Sequence, residues 1–398
     1  MSVSSVPAQI KLLKNRQRRL LSGHDWVFSN EIDPVSLRDV PPNRGDVIHL
    51  VDHRNQFLAT AWYNPGTLIA ARVIDRRPRA NFDLQLLEQR LEYARQIRDR
   101  MFATPHYRWI HGDSDQLPGL VIDRFGDCLS VQITSGGIEA MRDVLLPMLL
   151  EMKSVTGIVV NDDLDFRKLE GLPVGPVQTF GVVPEFLTAI EAGLKFSFPS
   201  TGGQKTGWFY DQRDNRQRLA RYAAGCSVAD LYSYAGAWGI HAASQGANSV
   251  TCVDSSRTAI EMVGQNAAAN SASIEAVCAD SLDTLKQWNT DKRTFDIVII
   301  DPPALIKRRK DIDAGLQSYF QLNRLAGRVV APGGILVSCS CSHHLPEDEL
   351  ITIINHAAFK DGGRPAQILE IGAQSADHPV HPAMPETRYL KCIFARIG

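Results

Sequence analysis

The triplet Ser340-Cys341-Ser342, directly after the strand-like run Gly334 to Cys339, is the part of the chain best suited to covalent chemistry. A thiol at the carboxyl end of a strand in an α/β sheet lies where ligands collect, and an ionised cysteine is a strong carbon-directed nucleophile. Two upstream segments belong with it. Asp230 to Gly239, reading DLYSYAGAWG, lies between a strand and a helix, where glycines let the backbone approach a nucleotide-type cofactor; Asp301-Pro302-Pro303 puts a carboxylate on a stiff loop at another strand end. Taken in order, they describe a cysteine nucleophile acting beside S-adenosyl-L-methionine.

Such a set fits a specific reaction. C5 of cytosine is a poor nucleophile, so methylating it calls for thiolate attack at C6, which turns C5 into an enamine-like carbon that accepts a methyl group. Asp301 would meet N3 and the exocyclic amine of the base as charge develops. A base must later remove the C5 proton; no residue identifies itself for that task, and water, His343 and His344 are the options. Cys339 alternates onto the same strand face as Cys341, so the residues alone leave two thiols open. A buried packing role is the ordinary fate of a free cysteine and is the competing reading for either.

For the cofactor, the candidates are Asp230, Tyr232, Gly236 and Gly239 in the loop, with Asp254 ending the second strand as a ribose acceptor and Asp280 ending the third near the adenine. Helix N-capping is the alternative for Asp254 and Asp280. The G-x-G-x-x-G spacing of dinucleotide enzymes is absent, which counts against a dehydrogenase. Upstream, GQKTGWFYDQR supplies Thr206 and Phe209 as pocket walls and Arg213 for a methionine carboxylate or an RNA phosphate; a loop capping a helix from Asp211 is the bland reading. Trp208, Phe209 and Tyr210 offer aromatic faces for an extruded base or for adenine.

These residues require a parallel, doubly wound sheet. From Ala189 onward strands at Ser227–Leu231, Ser249–Val253, Ile274–Cys278, Phe295–Ile300 and Gly334–Cys339 alternate with helices starting at Ala237, Ser256, Leu282 and Gln317. Residues 1–80 read as short strands, Val47–Val51, Phe57–Tyr63 and Leu68–Ile74, forming a small β-barrel or sandwich. Residues 81–188 read as an α+β module with helices over Phe82–Phe102 and Ile138–Met152 and a hairpin, Asp115–Phe125 with Leu129–Thr134, about Gly126-Asp127.

The 398 residues are 44% hydrophobic and 22% charged, which suits a globular protein with two or three cores. Seven cysteines without a C-x-x-C pair indicate neither a disulfide framework nor a zinc site, and fit a reducing cytoplasm. No apolar run reaches membrane-helix length. The net charge of −1 argues against a nucleic-acid protein on average, but Lys11, Lys14, Arg16, Arg18 and Arg19, then Arg72, Arg76, Arg77 and Arg79, and Lys307, Arg308, Arg309 and Lys310 form local basic clusters. Any one cluster suits a solvated surface; the last follows Asp-Pro-Pro and would bring a phosphate backbone to the chemistry.

GQKTGWFYDQRDNR, DLYSYAGAWGIHA, DPPALIK and PGGILVSCSCSHH, in this order, resemble the RlmI-like family of 23S ribosomal RNA cytosine-C5 methyltransferases, over essentially the whole chain. The resemblance implies an N-terminal PUA domain around GHDWVF at residues 23–28, an α+β linking domain and a Rossmann-like methyltransferase domain. It implies Cys341 as nucleophile with Asp301 as its partner, because the family places five residues between Pro-Gly-Gly and Ser-Cys-Ser. It also implies S-adenosyl-L-methionine as cofactor, and 23S ribosomal RNA or a large-subunit precursor as substrate; a homodimer is compatible with it. Two-cysteine RNA cytosine methyltransferases carry a second cysteine where this chain has Ala304, a departure that favours the single-cysteine branch. Two other functions stay open: amino methylation of a purine through Asp301-Pro302-Pro303, and a non-catalytic RNA-binding protein that reads shape.

Overall fold

In a computed structural model, residues 7–38, 41–79, 81–201, 207–360 and 363–398 are described. They group into two compact units, one comprising Met1–Leu187, Pro199–Trp208 and Asp377–Thr387, the other Thr188–Phe198, Phe209–Ala376 and Arg388–Gly398.

The first unit holds two five-stranded sheets. One runs Ala8–Lys11, Val47–Val51, Phe57–Tyr63, Ile69–Asp75, Trp26–Phe28. Its first pair is parallel and the rest antiparallel, and alternating residues such as Ile10, Ile48, Leu50, Ala59 and Ala71 form its core. A helix over Leu84–Met101 follows, its start capped by Asp83, which accepts from the Leu86 amide. It buries Leu87, Leu91 and Ala94 together with Arg98, whose guanidinium meets both oxygens of Asp115 at 2.7 Å.

The second sheet runs Gln178–Gly181, Gly157–Val160, Cys128–Ile133, Leu120–Phe125, His106–His111. The hairpin about Gly126-Asp127 is present, but its first strand starts at Leu120 because Gly112–Asp115 coil into a 3-10 turn. The single helix expected over Ile138–Met152 is two, Gly136–Ala140 and Arg142–Glu151: Met141 leaves the helical region at φ −100°, ψ 1°.

The second unit carries a seven-stranded sheet, whose strands are numbered β1 Ser227–Leu231, β2 Ser249–Asp254, β3 Glu275–Cys278, β4 Phe295–Ile300, β5 Val330–Ser340, β6 Ala366–Gly372 and β7 Lys391–Ile397. Their spatial order is β3-β2-β1-β4-β5-β7-β6. Pairing is parallel from β3 through β5, and β7 runs antiparallel between β5 and β6. The apolar runs of β1 and β4 are buried on both faces, as parallel strands require.

Helices α1 Ala237–Ser244, α2 Arg257–Ala269, α3 Ser281–Thr290, α4 Ile312–Val329 and α5 Glu347–Lys360 connect them. Helix α4 begins five residues before the expected Gln317, because Gly315 continues the face that buries Tyr319, Leu322 and Ala326. The order reverses between β1 and β4, so their carboxyl ends flank a topological switch point.

Candidate active site

Cys341 is the first residue past β5 and is half-buried. The neighbouring serines are fixed by hydrogen bonds. Ser340 Oγ donates to the Tyr319 hydroxyl at 2.8 Å, that hydroxyl lies 2.9 Å from Ser342 Oγ, and Ser342 Oγ accepts from the Ile306 amide at 3.1 Å. Tyr319 comes from α4 and Ile306 from the Asp-Pro-Pro loop, so one hydroxyl chain ties three elements together. A Cβ on Gly315 would lie 2.2 Å from Ile306 Cγ1, which is why α4 carries glycine where that loop crosses it.

From the other side, β7 supplies Lys391. Its ammonium donates to the carbonyl of Ser342 at 2.6 Å and to that of Tyr389 at 2.8 Å. Burial pushes this amine down to about 8, with Cys341 working in the opposite direction. Cys339, the alternative thiol, is wholly buried with its Sγ 3.3 Å from Cys392 Sγ, and burial holds it well above the ordinary thiol range.

Asp301 follows β4, with its amide 3.5 Å from the Leu231 carbonyl at the end of β1. Its Oδ2 accepts from Trp238 Nε1 at 3.1 Å and Gln212 Nε2 at 3.0 Å. Burial pushes the carboxyl up to about 6, against the pull of Trp238. Trp238 and Gln212 were missing from the sequence-derived set. Trp238 is visible inside DLYSYAGAWG and Gln212 inside GQKTGWFYDQR, but neither motif says that its side chain turns to Asp301.

The loop after β1 is sharply curled: Tyr232, Tyr234 and Gly236 have φ of 63°, 49° and 79°. Left-handed tyrosines are uncommon and persist where surroundings over-determine them. The Tyr234 amide donates to Asp254 Oδ2 at 3.0 Å, while Asp254 Oδ1 accepts from Ser256. Asp254 thus ties the loop to β2 and leads into α2.

Asp280 caps α3 through the Asp283 amide and is exposed. Asp230 and Gly239 are buried and bonded to each other at 3.0 Å, which ties α1 to β1. Phe209 packs edge-on to Tyr234 with ring centroids 5.5 Å apart, while Trp208 and Tyr210 are buried. Arg213 is buried against the Tyr210 ring and 4.0 Å from Glu191, away from open solvent. Thr206 lies outside the described residues. Lys14, Arg16, Lys307, Arg308 and Arg309 are exposed, and Lys11 is half-buried in the first strand.

The curled loop, with Ser233 Oγ buried and unpartnered, a half-exposed Asp254 and an exposed Asp280 on successive strand ends, is a polar cradle suited to a nucleoside cofactor. Residues 10–76 match the model of a PUA-like domain and residues 175–360 that of an S-adenosylmethionine-dependent methyltransferase. The ribosomal RNA large subunit methyltransferase I of Cronobacter sakazakii is 35% identical, aligned over 96% of this chain and 98% of its own length. The chain belongs to the ribosomal RNA large subunit methyltransferase I family. The member from Aeromonas hydrophila is 34% identical over 98% of this chain and 99% of its own.

The fold of this family member is shared with a SAM-dependent methyltransferase from Streptococcus mutans, at TM-score 0.82, 20% identity and coverage of 98% and 99% of the two chains. A methyltransferase complexed with SAH gives the same TM-score and identity. The methyltransferase I family thus combines a PUA-like domain with a Rossmann-like domain that uses S-adenosyl-L-methionine.

Proposed function

We propose that this protein is a cytoplasmic 23S ribosomal RNA cytosine-C5 methyltransferase that works through a covalent adduct on Cys341. The observation that carries the reading is the contrast between the two strand-end thiols. Cys341 emerges half-exposed on a loop clamped by Tyr319 and Lys391, beside the strand that ends in Asp301, while Cys339 is sealed in the sheet. The relatives' names point to large-subunit RNA as substrate.

In this mechanism the Cys341 thiolate bonds to C6 of the extruded cytosine, and the C5–C6 π pair moves onto C5. Asp301, a carboxyl poised near 6 by burial, meets N3 and the exocyclic amine and stabilises the charge that forms there. S-adenosylmethionine, which Tyr232 to Gly236, Asp254, Asp280 and Phe209 would hold along the curled loop, would supply the methyl group to C5 and leave as S-adenosylhomocysteine. Transfer of the C5 proton to water, His343 or His344 then lets the C6–S bond break, its electron pair returning to sulfur as the C5–C6 double bond re-forms, and frees the thiolate. The N-terminal barrel, residues 1–80, and the basic stretches at Lys11, Lys14 and Arg16 and at Lys307, Arg308 and Arg309 contact RNA; residues 81–188 link them to the methyltransferase domain, 189–398.

Wild type and Cys341→Ala, incubated with unmodified 23S ribosomal RNA and labelled S-adenosylmethionine, test the reading by nucleoside analysis. Labelled 5-methylcytosine from wild type, with none from the variant at unchanged cofactor affinity, is expected. A methylated purine, or full activity without the thiol, would move the assignment to amino methylation through Asp301.

A further inference from the structure

Lys391 stands where no motif placed a functional group. It opens β7, directly opposite Ser340 in the antiparallel register, so its side chain reaches the loop that begins at Cys341. The residue is buried, and two of the three donors of its ammonium go to the Ser342 and Tyr389 carbonyls. Among the described residues no carboxylate is ion-paired with it.

Among the other titratable groups at this corner, His343 lies with its ring centroid 5.7 Å from that of Tyr389. Arg388 is paired with Glu347 from α5 at 2.8 Å, so their charges largely offset. Tyr319 from α4 has its phenol pushed up by burial and is neutral. An unpaired cation beside a strand-end thiol is the environment that lowers cysteine pKa values. We propose that Lys391 is a positioning residue for the nucleophile, its ammonium holding the Ser342 carbonyl in place and stabilising the Cys341 thiolate before substrate arrives. This goes beyond the covalent reading and rests on it only for its purpose in turnover, since the thiol's ionisation can be measured without RNA.

The experiment follows iodoacetamide alkylation of Cys341 in the full chain by peptide mass spectrometry, from about pH 6 to about pH 9, for wild type and Lys391→Met. The wild-type inflection is expected below the ordinary thiol value of about 8.5, and that of Lys391→Met at least a unit higher. At neutral pH the variant would then alkylate roughly tenfold more slowly. A purely structural role would change stability or cofactor affinity without moving the inflection. An unmoved inflection in a variant that still binds S-adenosylhomocysteine overturns the proposal. If Lys391→Met does not fold, the wild-type profile decides alone, and an inflection at or above the ordinary value overturns it. Failure here leaves the Cys341→Ala methylation result untouched, and loss of the covalent reading leaves a shifted thiol in place, so the two are distinguishable.

Discussion

Asp230 is wholly buried, and although its Oδ2 accepts from the Gly239 amide, burial pushes the carboxyl up to about 7. Its second oxygen is buried with no hydrogen-bond partner. Folding therefore favours the protonated acid. Below the unfolded value near 4 both states hold the proton and stability from this group is greatest; above it only the folded state does, so stability falls by about 1.4 kcal/mol per pH unit until about pH 7, where the loss levels off. Asp230→Asn keeps an acceptor for Gly239 and stays neutral at every pH. Thermal unfolding at acidic and mildly alkaline pH is expected to show a smaller drop for the variant, by a few kcal/mol. Equal drops in the two proteins would mean the buried acid is already ionised. Asp230 was legible as a residue that belongs to the cofactor loop, but its bond to Gly239 inside the sheet–helix contact was not, because capping of α1 by a strand residue depends on how the helix lands on β1.

Helix α1 lands close. A Cβ at Gly239 would lie 2.4 Å from Cys252 Sγ on β2 and 3.0 Å from Val250 Cγ1. Glycine inside a helix ordinarily costs up to about 1 kcal/mol against alanine, but overpacking of about 1–3 kcal/mol outweighs that gain here. Gly239→Ala is thus expected to destabilise, and adding Cys252→Ala to recover most of the loss, as a double-mutant cycle in denaturant would record. Additive effects of the two changes would contradict the close contact. The alternation of strands and helices from β1 to β5 was readable because each strand carries a short apolar stretch and is separated from the next by a helical segment. Strands β6 and β7 were not: β6 is an edge strand exposing Ile368, Leu369 and Ile371, so it lacks a clean period of two, and β7 takes its place by antiparallel pairing with both β5 and β6.

With a net charge of −1, the protein has no global field to draw in RNA, so attraction must come from patches. The exposed Lys307, Arg308 and Arg309 follow the loop that carries Asp301. Replacing all three by alanine is expected to weaken binding of 23S ribosomal RNA and to flatten its salt dependence, by about 0.7–0.9 in the log–log slope for each phosphate that the cluster no longer neutralises. Cofactor affinity would not change. A slope equal to that of wild type would assign the cluster to solvent. Among the described residues no helix is long and apolar enough to cross a membrane.

Placement that depends on residue type and local order could be read from the chain alone: a thiol after an apolar strand, a glycine-bearing loop after another, a carboxylate before two prolines. These signals survive without a fold because each is made by neighbours in sequence. Which strand-end thiol is sealed, which donors hold Asp301 and which cation grips the Ser342 carbonyl came only with the packed sheet. Cys339 is closed off by Cys392, Asp301 is held by Gln212, and Ser342 is gripped by Lys391. Each of these partners lies dozens of residues away along the chain; β-sheet register, which no local pattern encodes, brings Cys392 and Lys391 within reach, and the packing of a 3-10 turn against the strand ends brings Gln212.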